Sequence, residues 1–331
     1  MPGVNIPLLN RIRDSGGYTP LDLLSAEWPE AERELRGLES FGFQFSWHPY
    51  LGIAYAGPAD RLCPDQIEHE LGTRWVGQRI AVWDRVTSTN DLAARAAKSE
   101  TNDGLVILAE SQTAGRGRRG RQWSAPAGSS ILASVLLFPP GAISDVSWLT
   151  TLGAVAVAEA AEAELGGIPL QIKWPNDVRY QGRKLAGVLV ERKGPAAIVG
   201  IGVNVNVSQT TFPPELQGLA TSLQILANRV IDRSEFARRL ISRLDFHYGQ
   251  ARQNSANQAL NQGWRNRLEP LGRMVRLQVK DGILEGRLLD ADLESGVVVL
   301  DAAGATHQLS HDQILGFEET ARIIVEDISM L

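Results

Sequence analysis

The densest chemistry of the chain lies in residues 115–123, which read Gly-Arg-Gly-Arg-Arg-Gly-Arg-Gln-Trp. The first seven of these residues are three glycines and four arginines. Glycine permits positive φ angles and a close approach of the backbone, so successive amides can point into one anion-binding concavity. Arginine guanidinium groups match the oxygens of phosphate or carboxylate in pairs. These residues therefore predict a loop that closes over a ligand with several negative charges.

The same loop spells G-x-G-x-x-G at Gly115, Gly117 and Gly120. This is the fingerprint of a dinucleotide-binding turn, provided that a strand precedes it and a helix begins within it. The apolar run at 105–109 supplies a strand, but a proline and a glycine follow within nine residues and oppose the helix. An NAD-dependent oxidoreductase is the alternative that this motif leaves open.

Polar side chains also cluster where a predicted strand at 80–86 meets a predicted helix at 91–98. Ser88, Thr89 and Asn90 occupy this turn. An N-cap role explains Ser88 alone, whereas a ligand that meets hydroxyl and amide groups would explain all three. The residues by themselves leave both interpretations open.

Two further clusters follow along the chain. Residues 173–177 place a lysine, a tryptophan, a proline, an asparagine and an aspartate at one turn, a set that suits a nucleotide and its magnesium ion. Lys184 opens the next predicted strand. Asn204 lies in an apolar ladder at 198–207 behind two glycines, which indicate the close approach of another group.

Several reaction classes are excluded by absent motifs. The chain has no G-x-x-x-x-G-K-[ST] phosphate loop and no G-x-S-x-G nucleophile elbow. Its single cysteine, Cys63, excludes an intrachain disulfide and a cysteine-rich zinc site. The remaining groups favour catalysis by positioning and charge stabilisation. Residue chemistry alone predicts a nucleotide-using transferase or ligase whose substrate attacks phosphorus directly.

The composition is that of an ordinary globular protein. The 331 residues are 44% hydrophobic and 21% charged, and the length suggests two to three domains. A net charge of −5 argues against general affinity for DNA or membranes. We expect a cytoplasmic protein without membrane association, because no signal peptide and no membrane-spanning apolar run is visible.

Residues 1–65 predict three helices, at 8–13, 20–26 and 29–40, followed by a hairpin. This order outlines a winged helix-turn-helix, whose third helix enters the major groove of DNA. Residues 1–65 nevertheless contain nine acidic and five basic side chains, and contact with each phosphate needs a lysine or arginine. A non-catalytic DNA-binding regulator and a structural appendage both remain open.

The far end of the chain predicts a small β module. Short strands at 274–279, 283–289, 297–300 and 306–309, joined by Asp-Gly and Ser-Gly turns, suggest a barrel. We therefore divide the chain at 1–65, 66–270 and 271–331.

Five motifs, in this order and spacing, resemble those of bacterial biotin protein ligases. They are Ser88-Thr89-Asn90, the run from Gln112 to Trp123, Lys173-Trp174-Pro175-Asn176-Asp177, Arg183-Lys184-Leu185-Ala186-Gly187 and Gly202-Val203-Asn204. The flanking segments resemble the bifunctional biotin–[acetyl-CoA carboxylase] ligase/repressor form. The resemblance implies an α+β fold: an N-terminal winged helix-turn-helix-like domain, a central mixed-sheet domain of the class II synthetase and biotin ligase type, and a C-terminal SH3-like barrel.

The resemblance also implies an activity. Biotin and ATP would give biotinyl-5′-AMP and pyrophosphate, with Mg²⁺ as the metal, and a lysine of the biotin carboxyl carrier protein of acetyl-CoA carboxylase would then accept biotin. A homodimer is the expected assembly. DNA is a further implied partner, but the acidic segment before residue 41 departs from the more basic third helix of the family's repressors. Leu315-Gly316-Phe317 stands where family members tend to place a nucleotide-contacting arginine.

Residue roles carry over by motif. The catalytic residues would be Lys184 and Arg118. The biotin-binding residues would be Ser88, Thr89, Asn90, Gln112, Arg116, Gly117, Arg118 and Lys184. The ATP- and adenylate-binding residues would be Arg119, Arg121, Trp123, Asn176, Asp177 and Asn204. Asp177 would also lie near the magnesium ion.

Overall fold

The computed structural model describes residues 3–253, 258–269, 271–293, 295–310 and 313–319. Its helices are α1 (Ile6–Asp14), α2 (Leu21–Glu27), α3 (Ala31–Phe41), α4 (Pro64–Glu68), α5 (Thr89–Ala96), α6 (Val146–Glu164), α7 (Leu223–Ala227), α8 (Arg233–Gln253) and α9 (Gln258–Arg265). Its strands are β1 (Gln44–His48), β2 (Gly52–Gly57), β3 (Ile80–Val86), β4 (Val106–Gln112), β5 (Ser130–Leu137), β6 (Gln171–Lys173), β7 (Asp177–Tyr180), β8 (Arg183–Lys193), β9 (Ala196–Asn204), β10 (Met274–Val279), β11 (Gly282–Asp292), β12 (Gly296–Asp301), β13 (Thr306–Leu309) and β14 (Ile314–Glu319). Within the described ranges, no helix is both long and apolar enough to cross a bilayer.

The first three helices and the β1–β2 hairpin enclose a small core of their own, which includes Leu8, Leu35 and Ile53. Asn5 begins α1 because its side chain accepts a hydrogen bond from an amide of the first turn. α3 ends at Gly42, whose φ of 125° is accessible to glycine and strained for other residues. The three helices and the hairpin expected from residues 1–65 are thus present.

The centre of the molecule is a mixed sheet with the strand order β3-β4-β5-β9-β8-β7-β6. β3 and β4 run parallel, and the other neighbouring strands run antiparallel. α6 and α8 cover one face of this sheet. Asp145 caps α6 by accepting hydrogen bonds from the Ser147 and Trp148 amides. Gly153 lets α6 approach the sheet, because a Cβ there would lie 2.8 Å from a methyl group of Val188.

The second face of the sheet stays largely open and carries the candidate site. Successive side chains of a strand point to opposite faces. On β9, Val199, Ile201 and Val203 therefore pack into the core below α6, whereas Gly200 and Gly202 face the other side. α5 packs over one end of this second face in a small apolar cluster. The remainder of the face forms the floor of a cavity.

The C-terminal part is a five-stranded antiparallel sheet with the order β13-β12-β11-β10-β14. The four strands predicted here are present, and β14 is an additional strand that the sequence pattern did not indicate. Buried side chains such as Val275, Leu277 and Val299 join the main core cluster. This sheet therefore packs against the central part of the chain. The end of the expected 271–331 module lies outside the described residues.

Candidate functional site

A cavity of about 600 Å³ opens on the second face of the central sheet. Its lining contains every residue that the sequence singled out for a site role. These are Ser88, Thr89, Asn90, Gln112, Arg116, Gly117, Arg118, Arg119, Arg121, Trp123, Asn176, Asp177, Lys184 and Asn204. They come from the start of α5 and the residue before it, the end of β4 and the loop after it, the turn before β7, and strands β7, β8 and β9. The fold thus brings distant motifs around one space.

One end of the cavity is lined by uncharged polar side chains that hydrogen-bond to one another. The amide and hydroxyl of Thr89 both donate to Gln112 Oε1, at 2.7 and 3.1 Å. Ser134 Oγ lies 2.7 Å from Thr89 Oγ1 and 2.5 Å from Asn90 Oδ1. Ser88 occupies the N-cap position of α5, but its side chain makes no capping hydrogen bond. The N-cap interpretation of Ser88 is therefore wrong at the level of the side chain, which faces the cavity.

The floor of the cavity is a patch of bare backbone covered by an indole. Gly187 of β8 and Gly202 of β9 are paired directly across the sheet. A Cβ added at Gly202 would overlap the Trp123 ring, and one at Gly187 would lie 3.3 Å from it. The indole Nε1 of Trp123 is buried without a hydrogen-bond partner among the described residues. The glycines of β8 and β9 therefore allow a flat aromatic surface at the bottom of the site.

The arginine loop closes on itself and does not start a helix. The Trp123 amide donates to Gly115 O at 3.1 Å, and the Gly117 amide donates to Arg121 O at 2.7 Å. Between them lies one short 3₁₀ turn, in which Arg119 has a φ of 56°. The next regular element is strand β5. The dinucleotide-binding interpretation of the glycine motif is therefore wrong, because no helix N-terminus is available to face a pyrophosphate.

The arginines of this loop have different surroundings. Arg116 pairs with Asp91 and Glu191, and Arg119 donates to the Leu315 carbonyl at 3.2 Å. Arg118 forms no ion pair in the part of the chain that the structure describes, and its guanidinium donates to Asn176 Oδ1 at 3.3 Å.

The pKa of the Arg118 guanidinium is lowered, in agreement with the lack of an ion-pair partner among the described residues. Burial lowers the pKa of the guanidinium, and the charge of Arg119 lowers it further, against the attraction of Asp177. A partly desolvated cation without an ion-pair partner favours the binding of an anion.

The opposite wall contains a second cation and the acid–amide turn. Lys184 Nζ lies 2.7 Å from Asp177 Oδ1 and 5.5 Å from the centroid of the Trp123 ring. Asn176 is fixed to β8, because its side chain donates to the Val188 carbonyl at 3.1 Å. The peptide bond between Trp174 and Pro175 is cis. The turn therefore presents an amide and a carboxylate beside Lys184.

Asn204 and Asn206 have separate surroundings, although both follow the glycines of β9. Asn204 lines the cavity and donates to the Thr221 carbonyl at 3.1 Å. Asn206 instead exchanges two hydrogen bonds with the backbone of Ile231. Asn206 therefore anchors a loop, and only Asn204 belongs to the cavity.

Sequence reasoning missed two kinds of residue at this site. The first kind is apolar lining from outside the motifs, such as Phe212, Leu216, Leu219 and Ile314. Leu315 and Phe317, which stand where the family tends to place an arginine, also line the cavity. The second kind is polar support, namely Ser134 and Glu191. A hydroxyl inside an apolar strand was the only available signal for Ser134. Nothing in the sequence distinguishes Glu191 from an ordinary charge at the end of a strand.

The fold and the cavity define an α+β enzyme domain whose arginine loop and lysine face a space for an organic anion. The chain belongs to the biotin/lipoate A/B protein ligase family, whose model matches residues 82–208. It is similar to the biotin–[acetyl-CoA-carboxylase] ligase of Mycobacterium tuberculosis, with 35% identity over 266 residues that cover 77% of this chain and 97% of the relative.

Two other relatives extend the likeness. The bifunctional ligase/repressor BirA of Bacillus subtilis is 32% identical over 246 residues, which cover 73% of this chain and 75% of the relative. The structure of the Aquifex aeolicus biotin protein ligase in complex with biotin and ATP superposes with a TM-score of 0.64 and 27% identity. That superposition covers 73% of this chain and 100% of the Aquifex chain.

Proposed function

We propose that the protein is a biotin protein ligase that activates biotin with ATP and then transfers it to a lysine of an acceptor protein. As an ATP-dependent ligase it is an enzyme, so the alternative of a non-catalytic regulator is wrong. The observation that carries the proposal is the composition of one cavity. It combines a neutral hydrogen-bonding end, an uncompensated guanidinium at Arg118 and an ammonium group at Lys184.

The proposed reaction proceeds in two steps. First, a carboxylate oxygen of biotin bonds to the α-phosphorus of ATP, while the bond from that phosphorus to the pyrophosphate oxygen breaks. Second, the ε-amine of the acceptor lysine bonds to the acyl carbon, loses a proton, and AMP leaves. Neither step needs a nucleophile from the enzyme. The enzyme must hold two anions together and stabilise the charge that develops between them.

The neutral end of the cavity suits the ring system of biotin. We assign Ser88, Thr89, Asn90 and Gln112 to this end, because their hydroxyl and amide groups can both donate and accept hydrogen bonds. Arg116 and Gly117 belong to the loop that closes above it. Lys184 and Arg118 would lie beside the biotin carboxylate, where a cation reduces its repulsion from phosphate.

The other part of the cavity suits the nucleotide. We assign Arg119, Arg121 and Asn176 to the phosphates and ribose, and Asn204 to the nucleotide as well. Trp123 offers a flat ring at the floor, suited to a base. During transfer, Arg118 and Lys184 would stabilise the oxyanion of the acyl group and the departing AMP.

Magnesium is part of the proposal together with ATP. Among the described residues that line the cavity, Asp177 is the only carboxylate. The described ranges contain no group of three or more His, Cys, Asp or Glu residues that could hold a metal by themselves. Mg²⁺ usually keeps several waters and binds through one or two carboxylates plus substrate phosphates. Asp177 therefore fits an ion that arrives with the nucleotide and screens its phosphate charge.

The partner, the domain division and the assembly are also proposals. The acceptor would be the biotin carboxyl carrier protein of acetyl-CoA carboxylase, the acetyl-CoA carboxylase in the name of the Mycobacterium relative. We propose a winged helix-turn-helix-like domain at 1–65, the catalytic domain at 66–270 and an SH3-like barrel at 271–331. A homodimer in the cytoplasm is the expected state. DNA binding, which the Bacillus relative's name suggests, conflicts with the acidic α3.

Exchange of labelled pyrophosphate into ATP tests the first step. We expect exchange with biotin, and none without an organic acid. Exchange with lipoate in place of biotin would move the protein to the other branch of its family, and no exchange with either acid would overturn the proposal. Mass spectrometry of a purified carrier protein should then show one biotinyl group on a lysine.

A matched pair of lysine variants sharpens the assay. Lys184 and Lys193 both lie on β8, but Lys193 is exposed and outside the cavity. We expect Lys184→Ala to lower exchange by about 100-fold or more, as losses of charge-stabilising groups do. Lys193→Ala should match the unchanged protein. Equal losses in both variants would argue against a role of Lys184 in the chemistry.

A further inference from the structure

The first arginine of the loop is held by two carboxylates of the protein itself. Arg116 Nη1 donates to Asp91 Oδ1 at 2.8 Å. Its Nε and Nη2 donate to the two oxygens of Glu191, at 3.3 and 3.1 Å. The contact with Glu191 is therefore a bidentate pair, which fixes the direction of the guanidinium as well as its distance. This arginine already has its counter-charges.

Glu191 also reaches the neutral end of the cavity. On β8 it has the same orientation as Gly187 and Leu189, because side chains of a strand alternate. Asn90 Nδ2 donates to Glu191 Oε2 at 2.7 Å, and Asn90 Oδ1 contacts Ser134. One carboxylate thus joins the base of the arginine loop to a residue assigned to the biotin end.

The protonation equilibria agree with a formed ion-pair network. Burial would raise the pKa of Asp91, but hydrogen bonds from Arg116 and Thr87 outweigh it and leave that pKa lowered. The hydrogen bond to Glu191 raises the pKa of Arg116, against its partial desolvation. Both shifts favour the charged forms of Asp91 and Arg116, as the ion-pair geometry requires.

Arg116 and Arg118 have different surroundings, which indicates two different roles within one loop. Four arginines in seven residues repel one another, and this repulsion opposes a closed loop unless some of their charge is neutralised. Asp91 and Glu191 neutralise Arg116 at the base of the loop, whereas Arg118 at its turn has no ion-pair partner among the described residues. Arg116 can hold the loop down while Arg118 remains available to a ligand.

We propose that Glu191, with Asp91, forms a latch on Arg116 that keeps the arginine loop closed over the cavity. Glu191 is then a positioning residue that sets how long the activated acyl group is retained before transfer. The consequence for acyl retention rests on the function proposed above. The latch itself depends only on the contacts of Arg116.

A single exposed ion pair contributes about 0–1 kcal/mol. The Arg116 side chain is itself 39% exposed, but it differs from such a pair because two carboxylates share it and one of them binds it through two hydrogen bonds. The chain offers a matched example in Arg276 and Glu285, an exposed pair on neighbouring strands outside the cavity. Glu285→Gln therefore serves as the control for Glu191→Gln. Both variants remove one negative charge from an Arg–Glu pair on a β-strand.

Hydrogen exchange of the ligand-free protein tests the latch without any catalytic turnover. We expect Glu191→Gln to speed exchange of the amides at 115–121 by about tenfold, the change that follows from losing one charge-assisted pair. Glu285→Gln should leave those amides unchanged. Exchange at 115–121 that stays the same in a folded Glu191→Gln protein would overturn the latch, as would an equal effect of Glu285→Gln.

Release of the adenylate tests the consequence. The protein is loaded with biotin and ATP, separated from free ligand, and its loss of the bound adenylate is followed. We expect release about tenfold faster in Glu191→Gln, and partial restoration in Glu191→Asp, because a shorter carboxylate keeps the charge. Unchanged release together with faster amide exchange would overturn the role in retention. Absence of any adenylate in the unchanged protein would count against the proposed function, while amide exchange still decides the latch.

Discussion

Gly187 and Gly202 lie directly opposite each other on β8 and β9, and the Trp123 ring rests on both. A side chain at either position would push the indole toward the cavity. The pair therefore sets the depth of the site at the place where the sheet meets the loop. Because β8, β9 and the loop each contribute one of these residues, the floor exists only in the folded protein.

We expect Gly202→Ala to raise the KM for ATP by about tenfold or more, because the added methyl group would overlap the Trp123 ring. A cost of about 1–3 kcal/mol in the free energy of unfolding should accompany this change. Steady-state kinetics and urea denaturation measure the two effects.

Gly37→Ala is the matched control for that substitution. Gly37 lies in α3 with open space around the position of a Cβ. We expect unchanged kinetics and a helix stabilised by about 0.5–1 kcal/mol. A normal KM for ATP in Gly202→Ala would show that Trp123 does not set the nucleotide site.

The sequence predicted that another group packs closely against the backbone at Gly202, but it could not identify that group as the Trp123 ring. A glycine inside a strand indicates a close neighbour. Trp123 is distant from Gly202 in the sequence, so only the tertiary structure shows that the two residues are in contact. The fourteen motif residues were named from their resemblance to a known set, and they do line one cavity. The apolar wall formed by Phe212, Leu216 and Leu219 was missed because these residues lie outside the motifs and have no distinguishing spacing. The support from Glu191 was missed because its partner, Arg116, is distant in the chain.

Arg118→Ala should separate stability from function. The unchanged protein holds this guanidinium without an ion-pair partner in the described residues, and the side chain is exposed although partial burial lowers its pKa, so its removal breaks no ion pair. We expect the ligand-free variant to match the stability of the unchanged protein to within about 0.5 kcal/mol, as for other exposed substitutions. The rise in Tm on addition of biotin and ATP should shrink, because the bound anions lose their cation.

Thermal unfolding with and without both ligands checks this prediction, with Lys193→Ala as the control for loss of an exposed charge. A ligand-free Arg118→Ala protein that melts well below the control would mean that Arg118 stabilises the fold by contacts of its own.

The surroundings of Glu159 predict how the free energy of unfolding changes at acidic pH. It lies on α6 and accepts hydrogen bonds from Arg243 at 2.7 Å and from the buried His247 at 2.8 Å, both on α8. Burial raises the pKa of Glu159, but these two partners outweigh it and leave the pKa lowered. A lowered pKa in the folded state means that the charged form contributes stability above the ordinary pKa range of glutamate, and that this contribution is lost as pH falls.

We therefore expect Glu159→Gln to cost about 1–3 kcal/mol at neutral pH, through loss of a charged partner. The difference from the unchanged protein should narrow as pH falls from about 5 to about 3. Urea denaturation across this range measures it, with Glu285→Gln as an exposed control. A difference that stays constant with pH would show that Glu159 acts by shape alone.

The acidic α3 predicts that the protein does not bind DNA through its N-terminal part. Arg33 and Arg36 are the only basic residues of this helix, and both pair with glutamates: Arg33 with Glu30, and Arg36 with Glu32 at 3.7 Å. Binding to phosphate would have to break these pairs and overcome the remaining negative charge. We expect no change in the anisotropy of a labelled duplex from the region upstream of the gene, at about 0.15 M salt, with biotin and ATP present. Binding that weakens steeply with salt and disappears in Arg33→Ala/Arg36→Ala would restore a repressor role. Binding that persists in that variant would place the DNA contact elsewhere on the molecule.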